Sequence, residues 1–273
     1  MTNNSHDIRV GVIGVGIGKA HLKGYSNVPE AEVVALCDLD ETRARNVADE
    51  FHLDNATIYT DHRALLDNPD IDAVSVCLPN FLHQPIAVDA LNAGKHVICE
   101  KPLAVSTAEV REMGRLADAK KLVLMTAQHQ RFTAPGLAAR SWTEAGGLGE
   151  VYHARVKAMR RAWLPTSPGF IDEKLAGGGP CRDIGVHALD LCLWLMNFPR
   201  PVRVSGTSKV NFAKGRRIPG MWGEWDRKRF SVEDFAAGFV HFDNGATMTL
   251  EASWLGHQPE NEDVSCQLFG LNG

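Results

Sequence analysis

From Ile8 to about residue 127, short apolar runs alternate with amphipathic stretches of helical period, the pattern of a parallel sheet covered on both faces. The periodicity predicts strands over 9–13, 32–37, 57–59, 73–78, 96–99 and 122–127. Helices are expected near 20–27, 42–51, 62–67, 84–93 and 107–120, so each of the first five strands is followed by a crossover. Beyond about Gln130 the period changes to two. Ala246, Met248, Leu250, Ala252 and Trp254 alternate with Thr247, Thr249, Glu251 and Ser253. A partner strand is read over 232–242, joined through Asp243-Asn244-Gly245, where Asn and Gly tolerate the positive φ of a tight turn. The fold class that follows is α/β: a doubly wound parallel sheet, then an α+β domain with a large, mostly antiparallel sheet. The boundary falls between Ala127 and Thr133, giving domains 1–128 and 129–273.

One stretch breaks the rule that charge stays outside. Residues 177–196, GGGPCRDIGVHALDLCLWLM, read as a helix apolar almost all round, hence buried. Yet Asp183, His187 and Asp190 fall at i, i+4 and i+7 on one face. Buried charge is costly unless paired, so the stripe either closes into an internal network, at its plainest an Asp-His pair one turn apart, or lines a wet cavity.

Composition narrows the chemistry. The chain has 273 residues, 44% hydrophobic and 23% charged, with a formal net charge of -4. No run of Lys or Arg makes a basic field, so no nucleic-acid partner is expected and small-molecule chemistry is favoured. Six cysteines form no C-x-x-C pair and sit mostly in apolar runs, as small hydrophobes in a reducing cytoplasm would. The polar start, MTNNSHDIRV, has no apolar signal core, and no window is long enough to span a bilayer, so neither export nor a membrane partner is expected. No metal site is expected either.

The segment Gly11-Val12-Ile13-Gly14-Val15-Gly16-Ile17-Gly18 follows a strand and opens a helix, where glycines let a pyrophosphate approach the backbone and helix amides face the anion. Asp38 stands at the end of the second strand, 24 residues after Gly14, where a carboxylate can accept the hydroxyls of an adenosine ribose. Asp40 and Glu41 would repel a 2′-phosphate and Arg43 is the nearby cation, so NAD is expected in preference to NADP. Cys99-Glu100-Lys101-Pro102 ends the fifth strand, at the carboxyl edge where open sheets bind ligands. Lys101 fits either a functional cation there or a solvated lysine before a turn. Pro79-Asn80 and His83 fit either a ligand loop or a turn and helix start. Residues 160–170, from Arg160 and Trp163 to Phe170, suit either a stacking face for a sugar ring or an interface loop.

The stretches GVIGVGIGKAH, VVALCDLD, DIDAVSVCLPNFLH, ALNAGKHVICEKPLA, GGGPCRDIGVHALD and VEDFAAGFVHFDNGATMTLEASW together resemble the Gfo/Idh/MocA family of NAD(P)-dependent oxidoreductases along nearly the whole chain. The resemblance implies a Rossmann domain followed by a substrate and oligomerisation domain. It maps catalytic roles onto Lys101, Asp183 and His187. The cofactor is expected against Gly14, Gly16, Ile17, Gly18, Asp38, Leu78, Pro79, Asn80, His83, Glu100, Lys101 and Gln128. Substrate is expected against Lys101, Arg131, Arg160, Trp163, Asp183 and His187. The expected reaction moves a hydride between a nicotinamide and a secondary alcohol of a sugar, cyclitol or related polyol. In it His187 is general base, Lys101 stabilises the alkoxide and Asp183 orients the histidine or a substrate hydroxyl. A glycosidase using transient oxidation and a non-catalytic NAD-binding regulator are the alternatives on this fold. Two departures stand out: the glycine loop is spaced G-x-G-x-G, predicting a pyrophosphate turn one residue tighter, and relatives usually continue past Gly273, so the chain is expected to be a truncated form. A homodimer or homotetramer through the second sheet is expected.

Overall fold

The computed structural model describes residues 8–215 and 220–273, and the chain divides into two units, residues 1–127 and 128–273. The polar segment 1–7, read above as lacking an export signal, lies outside the described residues.

In the first unit the chain runs β1 (Ile8–Ile13), α1 (Val15–Tyr25), β2 (Ala31–Cys37), α2 (Glu41–Glu50), β3 (Thr57–Tyr59), α3 (His62–Leu66), β4 (Ala73–Val76), α4 (His83–Asn92), β5 (His96–Cys99), α5 (Thr107–Lys120) and β6 (Leu124–Thr126). The strands form one parallel sheet in the order β3-β2-β1-β4-β5-β6. The order reverses between β1 and β4, the switch point at which such sheets take ligands. Alternating residues feed two cores. Val12 and Leu36 pack with Val15 and Leu22 of α1 and Val47 of α2, whereas Ile13, Ala35, Val74 and Val76 pack with Ile86 and Leu91 of α4 and Met113 of α5. Local signals set the helix starts: Asp40 caps α2 through the Arg43 amide, and Ser106 and Glu109 form a reciprocal capping box on α5.

The first helix departs from expectation. It begins at Val15 rather than near residue 20, so Gly16, Ile17 and Gly18 lie in its first turn instead of in a loop. Gly14 makes the whole reversal alone. Its φ is +91°, and a Cβ there would stand 2.3 Å from the Cys77 carbonyl oxygen, so glycine is required on both counts.

The second unit contains α6 (Ala134–Glu144), β7 (Val151–Arg160), α7 (Pro168–Ile171), α8 (Glu173–Ala176), α9 (Pro180–Asp183), α10 (Gly185–Leu195), β8 (Pro201–Lys209), β9 (Phe235–Phe242), β10 (Thr247–Ser253) and β11 (Glu262–Gly270). Its sheet runs β11-β7-β10-β9-β8, antiparallel except for the β7–β10 pair. Ala154, Val156, Met248 and Ala252 are buried on its inner face, while Glu251 and all of β8 are exposed. The 243–245 turn forms as its sequence requires, with Gly245 at φ +87° and Asn244 accepting from the Ala246 amide. The strand before it starts at Phe235, not at residue 232. The buried Asp234 leaves the ladder to accept the amides of Asn211, Phe212 and Ala213 at 2.7–2.8 Å.

The single helix expected over 177–196 is not formed. Gly177 ends α8 at φ +76°, Pro180 starts α9, and the chain breaks again at Ile184 before α10. The break has a packing reason. The Ile184 side chain enters the cluster around Trp254 and Phe230, whereas Ala188, Cys192 and Met196 enter the one around Met248. Nor is α10 buried all round: Gly185, Ala188, Cys192 and Leu195 are fully covered and its other residues only partly.

Candidate functional site

In the first unit the chemistry gathers at the carboxyl ends of β1, β2, β4 and β5. Asp38 is almost wholly buried. Its Oδ2 accepts the Val15 amide at the start of α1 (3.1 Å), and its Oδ1 accepts the Asp40 amide and the Arg43 guanidinium. Burial alone would raise the Asp38 carboxyl, but Arg43 and the two amides outweigh it and hold it below the usual carboxylate range. Three of its roughly four lone-pair directions are thereby engaged, leaving about one for a ribose hydroxyl while Arg43 stays in place. Gly16 faces open space and Ile17 is half exposed, so the first turn of α1 leaves its backbone approachable from outside. A hairpin-tight glycine turn, an approachable helix start and an acidic strand end together fit a dinucleotide.

Leu78, Pro79 and Asn80 follow β4 and lead into a 3₁₀ turn at Asn80–Leu82, and Glu100 and Lys101 follow β5. His83, expected to touch the cofactor, links the loops after β4 and β5. It is fully buried between the two loops, with Nδ1 2.6 Å from the Pro102 carbonyl oxygen and Nε2 2.7 Å from that of Leu78; a neutral ring donates to one of these carbonyls and only the charged ring to both. Burial lowers its pKa although both carbonyls favour the charged ring.

Sequence reasoning missed the group behind Lys101. Glu100 accepts its neighbour's backbone amide through Oε2 (3.0 Å), and its Oε1 lies 3.1 Å from His21 Nε2. His21 Nδ1 meets the Ser75 hydroxyl at 3.1 Å, and Ser75 meets the Tyr25 hydroxyl at 2.8 Å. Ser75 was a visible signal, a serine inside the apolar strand ALA-VAL-SER-VAL of β4. Although burial pushes Glu100 upward, His21 and the Lys101 amide prevail and keep it below the ordinary glutamate range. Burial raises the nearby Cys77 and Cys99 thiols far above the ordinary thiol range.

In the second unit the expected stripe divides into separate pairs. Asp190 belongs to Arg131, whose Nε donates to it at 2.6 Å while the guanidinium covers the Phe198 ring. Arg131, expected against the substrate, ties the 129–132 turn to α10. Asp183 accepts from Trp254 Nε1 at 3.1 Å and lies 4.0 Å from Arg160, whose Nε donates to Glu262. Arg160 also covers Trp222, and Trp222 stacks on Trp163 with ring planes 9° apart. His187 packs against His129, their rings 4.9 Å apart. Gln128 is buried, and its Oε1 has no hydrogen-bond partner among the described residues. Among those residues no group of three or more His, Cys, Asp or Glu could hold a metal ion, and no helix is long and apolar enough to cross a membrane.

Residues 8–128 match the family described as "Oxidoreductase family, NAD-binding Rossmann fold", and residues 137–273 match the GFO/IDH/MocA C-terminal domain. Among curated proteins the chain is 36% identical over 252 residues to D-glucoside 3-dehydrogenase of Escherichia coli, covering 92% of this chain and 71% of that one. It is 30% identical to levoglucosan dehydrogenase of Pseudarthrobacter phenanthrenivorans, covering 98% and 72%. Among solved structures, a levoglucosan dehydrogenase in complex with NADH and levoglucosan superposes with a TM-score of 0.83 at 29% identity, covering 96% of this chain and 71% of that one.

Proposed function

Since the chain belongs to the Gfo/Idh/MocA oxidoreductases and its first domain is an NAD-binding Rossmann fold, we propose that it oxidises a ring secondary alcohol of a sugar or glycoside, with NAD preferred over NADP. The observation that carries the substrate class is the second unit's combination of near-parallel indoles, Trp163 and Trp222, with Arg160, Asp183 and Glu262. A pyranose needs that pairing, an aromatic face for its apolar C–H surface and charged partners for its hydroxyls. The relatives named above, dehydrogenases of a glucoside and of levoglucosan, support the same class.

Gly14, Gly16, Ile17, Gly18 and Asp38 would hold the adenosine and pyrophosphate end, and Leu78, Pro79, Asn80, Glu100 and Lys101 the nicotinamide end. When bound, NAD supplies the acceptor for the hydride that leaves the carbinol carbon. The protein's residues handle the proton. His187 takes it from the hydroxyl, the Lys101 ammonium stabilises the alkoxide as charge develops, and Asp183, held by Trp254 and Arg160, orients the reacting sugar.

The test is NADH formation at 340 nm with purified protein against alkyl glucosides, levoglucosan, myo-inositol and free glucose. Net NADH with at least one pyranose is expected. Release of an aglycone without net NADH would replace this reading with a glycosidase using transient oxidation. NAD binding with no turnover on any member of the panel would overturn it in favour of a regulator.

A further inference from the structure

The proposed role of Lys101 needs its backbone held firmly, and the first unit supplies a device for this that lies outside the expected site. From the observed contacts we infer that His21 is a positioning residue, acting on Lys101 through the carboxylate of Glu100. The inference rests on the reading of Lys101 given above.

The directions of the hydrogen bonds follow from elementary chemistry. An ionised carboxylate only accepts, so His21 Nε2–H donates to Glu100 Oε1, and the Lys101 N–H donates to Oε2. With the ring neutral, His21 Nδ1 is left to accept from the Ser75 hydroxyl, and the Tyr25 hydroxyl donates to Ser75 Oγ. Each polar hydrogen in the chain has one acceptor, and the carboxylate is fixed at both oxygens. The components are shielded: the side chains of His21 and Glu100 are 11% and 15% exposed, and Ser75 is fully buried. Low local dielectric strengthens such a chain and makes a broken link costly.

The geometry has a second half. His21 stands on α1, in the helix layer on one face of the sheet, while His83 stands on α4, in the layer on the other. His21 meets Glu100 and His83 Nδ1 meets the Pro102 carbonyl oxygen, so the three-residue segment with Lys101 at its centre is contacted at both ends. His83 Nε2 also lies 2.7 Å from the Leu78 carbonyl oxygen, so the ring contacts both loops and its loss would disturb more than Lys101. His21 touches the segment only through Glu100, which makes it the cleaner probe.

The isosteres separate the two bonds of the ring. His21→Gln can present an N–H near the Nε2 position, toward Glu100, and His21→Asn a polar group near the Nδ1 position, toward Ser75 alone. His21→Ala removes both. Three readouts are taken on the full chain: kcat and KM with NAD and an active sugar, NAD affinity by calorimetry, and the rate at which acetic anhydride labels the Lys101 amine relative to Lys120, read by peptide mass spectrometry. Expected are a fall in kcat of about 10- to 100-fold for Ala and Asn, the scale on which misplacing a reacting group acts, with NAD affinity within about twofold, and recovery of most of kcat in Gln. Lys101 labelling should change in Ala and Asn and return in Gln. Glu100→Gln should reproduce the loss, and His21→Ala added to it should make little further difference.

Wild-type kcat and labelling in His21→Ala, or rescue by Asn as good as by Gln, would overturn the inference. So would losses that track the melting temperature across all three variants. Lys101→Ala separates the premise from the inference: if that variant keeps turnover, the reading of Lys101 fails, while the labelling pattern still decides whether His21 controls the segment.

Discussion

At the scale of single residues, Lys101, Asp183 and His187 stood out by their positions and took their catalytic roles from a resemblance, and each sits in a setting that gives a test. If they serve one transition state, each substitution to Ala should lower kcat by about two to four powers of ten while sparing NAD binding. Double variants should lose little more than single ones, because groups acting as a unit lose their effect together. Near-full activity in His187→Ala or Asp183→Asn, with a sharp fall in melting temperature, would make these residues structural. His83 gives a stability prediction. Its pKa is lowered in the folded protein, so the unfolded chain binds the proton more readily. Stability it contributes is present above the unfolded value, about 6.5, and is lost as pH falls below it. Urea midpoints should therefore fall from pH 8 to pH 5.5 in the wild type and fall less in His83→Gln. Asp38 and Glu100 are lowered too, but they act below the unfolded carboxylate values, near pH 4, outside that window. An equal slope in both proteins would mean that His83 does not titrate on unfolding.

Among elements, the start of α1 separates folding from binding. Gly14→Ala would force a left-handed φ on an L-residue, costing roughly 1–2 kcal/mol, and push a methyl onto the Cys77 carbonyl, so the melting temperature should drop. Gly16→Ala meets nothing within 4 Å, so stability should hold while NAD affinity falls as the methyl intrudes where the pyrophosphate is expected. Unchanged NAD affinity in Gly16→Ala would move the pyrophosphate elsewhere. At the end of β2, Asp38→Ala should narrow the preference for NAD over NADP, because Arg43 loses its carboxylate and becomes available to a 2′-phosphate. Calorimetry with both cofactors checks this, and an undiminished preference would assign the discrimination to Asp40 and Glu41. The element the sequence misread was the 177–196 helix. Helical spacing alone put Asp183 and His187 on one face, but the break at Ile184 comes from packing into two different cores, which periodicity does not report.

For the molecule as a whole, the second sheet's outer face is the surface that most needs a partner. All of β8 is exposed, Phe239 of β9 is exposed on the outer face, and a depression of about 610 Å³ lies on this face among Arg155, Lys157, Ser205, Thr207, Thr249 and Glu251. Sedimentation at micromolar concentration is expected to give a dimer or tetramer, and charge reversal at Lys157 with Phe239→Glu, both on this face, should shift it toward monomer. A wild-type monomer would remove that role from the sheet. Much of the architecture was written locally. A period of two or of 3.6, a glycine that alone fits φ +91°, and an Asn-Gly turn each act over a few neighbouring residues, so the two sheets, the cofactor edge and the 243–245 hairpin were legible from the chain. Partnerships between distant segments were not. That His83 links two loops, that Arg131 belongs to Asp190 and that His21 reaches Glu100 from 79 positions away were decided by which side chains tertiary packing left facing one another, where an unsatisfied polar group would be costly.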